Sequence, residues 1–475
     1  MRHRSRLLPA AIGVLCAFTI VAGVTVVRLL PGRLALWRPP SVATRQLAGV
    51  APVLGAATGV AGAAGGATAA GVSQALAPFL SSAALGQSVG VLVTNLTTGQ
   101  VLYASNASTG FTPASTNKLA TAVAALTVLG PAARLTTKVV TGTANDSIVL
   151  VGGGDPTLAA GHPPAADYPQ PATLVQLASL TARALRARGE RSVQLGFDTS
   201  LYTGPGLGPG WPASYVTTGN VSVITPLEVD QGRVTASGVP VDADLSGGLR
   251  SADPAQQAAD VFAGYLAADG ITVRGAGQQV TAPAGAATLA SVQSPPLAEI
   301  VQWMLEESNN VIAENLARQV AIATGQPASF SGAAAAVTSV LRRLGVTGNL
   351  QLYDGSGLSP QDEIAPAVLV QLIRLAATTA RLRSVLTGLP VDGFSGTLQA
   401  GASVFGPSGG AGLGVVRAKT GNLSTVAALA GSAYARNGQL LAFAVMADEI
   451  PPAALNTAAA QMVGLASVLA GCGCQ

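Results

Sequence analysis

The sequence predicts an α+β fold, an antiparallel sheet packed against helices, and three observations carry that expectation. A β-hairpin pattern opens the ordered part at 88–103. Helical segments with apolar faces fill much of 297–378. Three strand-like segments and an Ala/Leu-rich helix close the chain at 415–469. A hairpin, a helical block, a three-strand meander and a final helix suit a sandwich of sheet and helices.

Taken in order, 88–93 alternates apolar and polar residues with β-branching. Thr97-Thr98-Gly99-Gln100 reads as a turn, and 101–103 returns. Phe111-Thr112-Pro113-Ala114 leads into a helix at 115–129, stopped by Gly130-Pro131, with Leu119, Ala122, Val123 and Leu126 on one apolar face. Residues 138–285 differ in texture, with short strands and turns such as Gly152-Gly153-Gly154-Asp155-Pro156, and read as one or two inserted modules. The Arg183–Arg191 cluster there reads as a solvated helix end. Helical periodicity resumes at 297–305, 310–323, 332–344 and 366–378. Strands follow at 415–423, 425–434 and 440–447, with Asn437-Gly438 as a hairpin turn, and 453–469 reads as the closing helix. The expected main domain is therefore discontinuous, 72–137 with 286–475, interrupted by 138–285.

Arg2, His3, Arg4 and Arg6 precede a stretch without charge, 7–27, closed by Arg28. Its length and flanking charge fit a signal anchor or a signal peptide within 1–30, with the remainder exported. Residues 31–71, rich in Ala and Gly, read as a flexible spacer between membrane and catalytic part, with order beginning near Val72. Export puts the chain on the outer face of the cytoplasmic membrane or in the cell wall. Cys472 and Cys474 at the C-terminus are either bridged or free thiols on a frayed tail. Two such cysteines and one exported histidine, His162, cannot build a metal site, and no cofactor motif is present. A net charge of +4 with scattered arginines is too thin a basic footprint for nucleic acid.

Lysine usage points to the chemistry. The chain has three lysines, Lys118, Lys138 and Lys419, against 23 arginines. Arginine cannot release its proton, whereas a desolvated lysine can serve as a base. With His3 and His162 the only histidines, a Ser-His-Asp triad has almost nothing to be built from. Ser115-Thr116-Asn117-Lys118 instead places a serine and a lysine three apart at a helix start, where they share a face and the helix dipole favours an alkoxide. Ser308-Asn309-Asn310 offers a second hydroxyl and a carboxamide, though Ser-x-Asn alone is an ordinary cap pattern. Lys419-Thr420-Gly421 lies on an expected strand, where glycine lets another backbone approach and its neighbours can hold a carboxylate.

The three motifs in this order resemble those of penicillin-binding proteins and class A β-lactamases. The interval from Lys118 to Ser308 is too long for a β-lactamase. It is similar to the D-alanyl-D-alanine carboxypeptidase/endopeptidase family, the low-molecular-mass class C penicillin-binding proteins of peptidase family S13, which carry an insertion there. The resemblance runs from about Val72 to the C-terminus. It includes Gly153-Gly154-Asp155-Pro156-Thr157-Leu158, Gly210-Trp211-Pro212, Asp354-Gly355-Ser356-Gly357-Leu358-Ser359 and Gly396-Thr397-Leu398. It implies a penicillin-binding-protein/β-lactamase-like transpeptidase fold, peptidoglycan stem peptides as substrate, β-lactam antibiotics as acylating ligands, and no cofactor.

Carried over, the resemblance makes Ser115 the acylated nucleophile, Lys118 its base, and Ser308, tuned by Lys419, the donor to the leaving amine. Asn310 binds the substrate amide, and Thr420 and Lys419 face its carboxylate. The N–H groups of Ser115 and Asn422, the residue after Gly421, form an oxyanion hole. Asn422 stands where the family commonly has threonine, which weakens the case for a free terminal carboxylate, and Gln399-Ala400-Gly401 replaces an arginine often found there. Asp155 and Asp354 read as turn residues, Glu306, Glu307 and Glu314 as helix decoration, Trp211 and Trp303 as packing, and His162 as a loop residue. A peptidoglycan-binding scaffold without activity and a serine β-lactamase or esterase are the competing readings.

Overall fold

The structure is a computed structural model that describes residues 66–234, 248–402 and 404–474. The N-terminal apolar segment and the spacer up to residue 65 lie outside the described residues. Order begins earlier than Val72, with α1 (Ala69–Leu80), because Thr68 caps it by accepting from Gly71 N at 3.0 Å. The hairpin of β1 (Ser88–Asn95) and β2 (Val101–Ser105) follows, and a 3₁₀ turn, Ala114–Asn117, leads into α2 (Lys118–Val128).

The chain then makes an excursion through β3 (Thr136–Thr141), β4 (Ser147–Val151), α3 (Leu174–Ala187), β5 (Ser192–Asp198), the short α4 (Ser214–Thr217), α5 (Pro254–Ala268), β6 (Thr272–Val273), β7 (Gln278–Gln279) and β8 (Thr288–Gln293). It returns through α6 (Leu297–Glu306), α7 (Asn310–Ala323), α8 (Phe330–Arg343), a small pair β9 (Leu350–Gln351) and β10 (Glu363–Ile364), α9 (Pro366–Thr378) and α10 (Arg383–Thr387). β11 (Val416–Leu423), β12 (Val426–Tyr434), β13 (Leu440–Asp448) and α11 (Leu455–Gly471) end it.

One antiparallel sheet runs in the order β11-β12-β13-β1-β2, so the hairpin near the start joins the meander near the end, with Ser88 opposite Asp448. Alternation along the strands sorts its two faces. Ala428, Ala430, Ala442, Ala444 and Met446 pack with α2 and α6–α9, while Leu429, Leu441, Phe443 and Val445 pack with α1 and α11. The alanines on the first face let the helical block come close, and the 3₁₀ turn before α2 and Ser308 before α7 both meet β11. Pro452–Gly471, which is α11 with the 3₁₀ turn before it, is long and apolar enough to cross a membrane, but Met462, Val463, Leu465, Ala466 and Leu469 are buried in the second face. Cys472 and Cys474 are bridged, and Thr68 N donates to Cys474 O at 2.7 Å, so the tail is tied to α1 rather than frayed.

The excursion builds a second, mixed sheet, β6-β5-β4-β3-β8 with β7 also on β5. α3 and α5 pack on it around Leu150, Leu177, Leu185, Phe197 and Phe262. The strand-and-turn expectation for this region lacks α5 and all of α3 but its end, which the Arg183–Arg191 cluster marks. The sheet takes in Thr136, Thr137 and Thr288–Gln293, beyond the 138–285 boundaries, because the first and last strands of the excursion pair with each other.

Phe443 is fully buried between β13 and α11. Phe443→Ala should cost about 3–5 kcal/mol of stability, read as a lowered denaturant midpoint at unchanged slope.

Candidate active site

Ser115 does not open the α-helix, as the sequence suggests. It sits in the 3₁₀ turn before it, and α-helical bonding starts at Lys118. Ala114 enters the turn with φ 45°, a left-handed conformation costly for a residue with a Cβ, and Thr116 locks it by donating Oγ1 to Pro113 O at 2.7 Å. In a 3₁₀ turn residues i and i+3 eclipse, so Ser115 and Lys118 stack more directly than on an α-helix. Lys118 Nζ donates to Ser115 Oγ at 2.8 Å, Asn310 Oδ1 at 2.7 Å and Ser356 O at 2.8 Å. The lysine is completely buried. Loss of water lowers its pKa from 10.5 to about 7, against the opposing pull of Asp354 and Glu314.

Ser308 lies between α6 and α7 with φ 57°, a second strained position. Asn309, not Ser308, caps α7 by accepting from Ile312 N at 3.0 Å. Loops of the excursion hold both asparagines: Asn309 Nδ2 donates to Gln231 Oε1 and Asn310 Nδ2 to Asn220 O, each at 2.8 Å. Lys419, also completely buried, donates Nζ to Ser308 Oγ at 2.9 Å and to Thr420 O at 2.8 Å. Burial, then the charge of Lys118, holds its pKa well below the usual lysine value, with Glu307 opposing.

β11 is an edge strand, and its first half is covered: Ala418 N donates to Pro390 O and Asp392 N to Val416 O, both at 3.0 Å. By the alternation of a strand, the N–H groups of Thr420 and Asn422 point the same way as that of Ala418, away from β12. Gly421 is pressed against the 3₁₀ turn that holds Ser115. A Cβ there would stand 2.7 Å from Pro113 O and 3.0 Å from Ser115 N. Thr420 Oγ1 meets Thr397 Oγ1 at 2.6 Å, and the Asn422 side chain is exposed.

The loop 354–359 closes the site from below. Asp354 is the turn residue expected, accepting from Ser356 N at 3.1 Å, Gly357 N at 2.6 Å, Ser359 N at 2.6 Å and Trp211 Nε1 at 2.8 Å. Glu314 corrects the reading as helix decoration. It is 1% exposed, and its carboxylate accepts from Ser356 N at 2.8 Å and from Gly355 N at 3.0 and 3.1 Å. Burial, then Asp354, pushes its pKa up to about 8. The overlooked signal is spacing, since Glu314 lies four residues after Asn310 on the same helix face, amid buried apolar residues. Asp155 is a buried turn residue whose Oδ1 accepts from Thr157 N and Oγ1 at 2.9 and 2.6 Å. Among the described residues no group of three or more His, Cys, Asp or Glu could hold a metal ion.

Two hydrogen-bonded pairs, Ser115–Lys118 and Ser308–Lys419, thus share one site with Asn310 and the outward edge of β11. Such an arrangement can activate a hydroxyl, pass a proton and bind an extended backbone.

Residues 72–246 and 238–469 match the D-Ala-D-Ala carboxypeptidase 3 (S13) family. A carboxypeptidase of Mycobacterium tuberculosis is 37% identical over 92% of this chain and 89% of its own. Carboxypeptidase DacB of Mycolicibacterium smegmatis is 36% identical over 85% of each. The crystal structure of penicillin binding protein 4 from Haemophilus influenzae superposes with a TM-score of 0.65 over 83% of this chain and 98% of that one, at 24% identity, which shows a common fold.

The contact at Gly421 yields a test. Gly421→Ala would wedge a methyl between β11 and the turn, and the reactivity of Ser115 toward an activated ester should fall about a hundredfold with unchanged far-UV circular dichroism.

Proposed function

We propose, for a chain that belongs to the D-Ala-D-Ala carboxypeptidase 3 (S13) family, that Ser115 is its nucleophile and Lys118 the base that activates it. The protein is a serine-type D-Ala-D-Ala carboxypeptidase acting on peptidoglycan outside the cytoplasm. The observation that carries the residue assignment is the completely buried Lys118 Nζ, 2.8 Å from Ser115 Oγ.

A neutral Lys118 has two N–H bonds and one lone pair. Asn310 Oδ1 and Ser356 O accept the two N–H groups, which leaves the lone pair facing Ser115 Oγ. As Oγ attacks the carbonyl of the penultimate D-alanine, its proton passes to Lys118. The N–H groups of Ser115 and Asn422 receive the developing oxyanion. Ser308, tuned by Lys419, passes the proton on from Lys118 to the departing amine, leaving Lys118 neutral and an acyl-enzyme that water hydrolyses. Asn310 keeps its amide orientation through Asn220 O and offers a substrate contact. Thr420, with Thr397 behind it, and Lys419 face the terminal carboxylate. Asn422 brings no hydroxyl there, so cross-linked peptides without a free carboxylate in that place fit as well, and endopeptidase activity accompanies carboxypeptidase activity. The excursion acts as an accessory module whose loops buttress the site at Asn309 and Asn310. Residues 7–27 anchor the enzyme to the outer face of the membrane, a role checked by whether the intact chain sediments with membranes.

Benzylpenicillin should add covalently at Ser115, located by peptide mapping, and Ser115→Ala should abolish the adduct while leaving the fold intact. An adduct elsewhere defeats the assignment, absence of any adduct favours a scaffold, and rapid turnover of the drug favours a β-lactamase.

Lys118→Arg keeps a charge but offers no base, and should slow acylation by at least about a hundredfold. In the wild type, acylation should rise with pH through about 7 as Lys118 loses its proton, and level off above.

A further inference from the structure

Glu314 is a buried carboxylate that the mechanism above leaves unused. Among the described residues no lysine or arginine forms an ion pair with it, and a buried carboxylate without one is costly. Burial and Asp354 work against its ionisation, but its partners are the backbone N–H groups of Gly355 and Ser356, so it accepts and does not donate, an arrangement that fits the ionised form set against the Lys118 ammonium. The Ser356 peptide it grips is the one whose carbonyl accepts from Lys118 Nζ at 2.8 Å. Thr121 Oγ1 donates to the neighbouring Gly355 O at 2.6 Å, so the strip is held from both sides. Asn310 and Glu314 lie one turn apart on α7, one touching Lys118 directly and the other through this strip. The charged groups around Lys118 and Glu314 are Asp354 and Asp362 of the 353–362 loop, Arg318 further along α7, and Lys419 with Glu307 on the far side of Lys118.

We propose that Glu314 is a positioning residue for acylation: its carboxylate fixes the Ser356 carbonyl that aims Lys118 at Ser115, and its charge balances the ammonium formed when Lys118 takes the serine proton. The proposal rests on the reading of Lys118 as the base. No bond is made or broken at Glu314. The proton moves from Ser115 Oγ to Lys118 Nζ, and Glu314 stabilises the charge that results.

The test is the rate of acylation by benzylpenicillin against pH in the full chain, for the wild type, Glu314→Gln and Glu314→Asp. In Glu314→Gln one of the two charges that strengthen Lys118's hold on its proton is gone, and Asp354 remains. The acid limb should therefore move about one pH unit toward acid, and the plateau should fall about tenfold. Glu314→Asp keeps the charge and should lower the plateau while leaving the limb in place. A fall in plateau with an unmoved limb in the glutamine variant would mean a structural role alone and would overturn the proposal, as would an unchanged profile. A wild type without a limb near neutrality would instead remove Lys118 as base, a separate failure. Should Glu314→Gln not fold, the three lysines make Lys118 easy to assign by ¹³C NMR. Its Cε resonance should titrate with the same midpoint in the wild type and Glu314→Asp, and at lower pH in Glu314→Ala, and an unmoved midpoint in Glu314→Ala would overturn the proposal.

Discussion

A primary amine completely removed from water organises this site, and the neighbouring groups make its burial tolerable. Lys118 draws its three acceptors from the 3₁₀ turn, from α7 and from the 353–362 loop. Two of them are themselves held. The Asn310 amide is oriented by Asn220 O, and the Ser356 peptide by Glu314 and Asp354. Desolvation brings the amine's proton affinity down into the neutral range, and the acids beneath stop it from falling further. Arginine could fill neither this space nor this role, which gives a physical reason for lysine at 118 in a chain that otherwise prefers arginine.

Backbone strain collects at the same place. Ala114 and Ser308 both take left-handed backbone conformations without being glycine, one just before each hydroxyl of the site or at it. The strain is contained by what surrounds it: the Thr116 hydroxyl on Pro113, the Asn309 cap, and Gly357, whose φ of 84° lets the loop pass beneath Ala114. Glycine at 421 answers a different need, the close passage of one backbone over another.

Much of this was legible in the sequence, and the parts that were not share a cause. The strands at 416–448 and the helices at 297–378 announce themselves by periodicity, Lys118 and Lys419 by the rarity of lysine, and Ser115 and Ser308 by the motifs they stand in. What periodicity cannot show is a main-chain partner. Ser356 acts through its carbonyl and Asn220 through its own, so neither side chain advertises the contact. Glu314 looked like surface charge because acids on helices usually are. Its burial depends on the 353–362 loop folding over it, a tertiary event with no local signature. α5 and most of α3 escape the pattern because glycine- and proline-rich loops around them dominate the composition of the region.

The order of strands has a further consequence, for the timing of assembly. β1, among the first elements of the described fold, has as its neighbour β13, among the last. Until β13 has been made and delivered, the β1–β2 hairpin carries an open edge, and β11, which must lie against the nucleophile turn, has no sheet to belong to. Pairings between such distant segments are slow to form and leave edges exposed meanwhile. The site therefore cannot exist before the C-terminal meander is present. It comes into being in one late step, when the C-terminal meander closes the sheet.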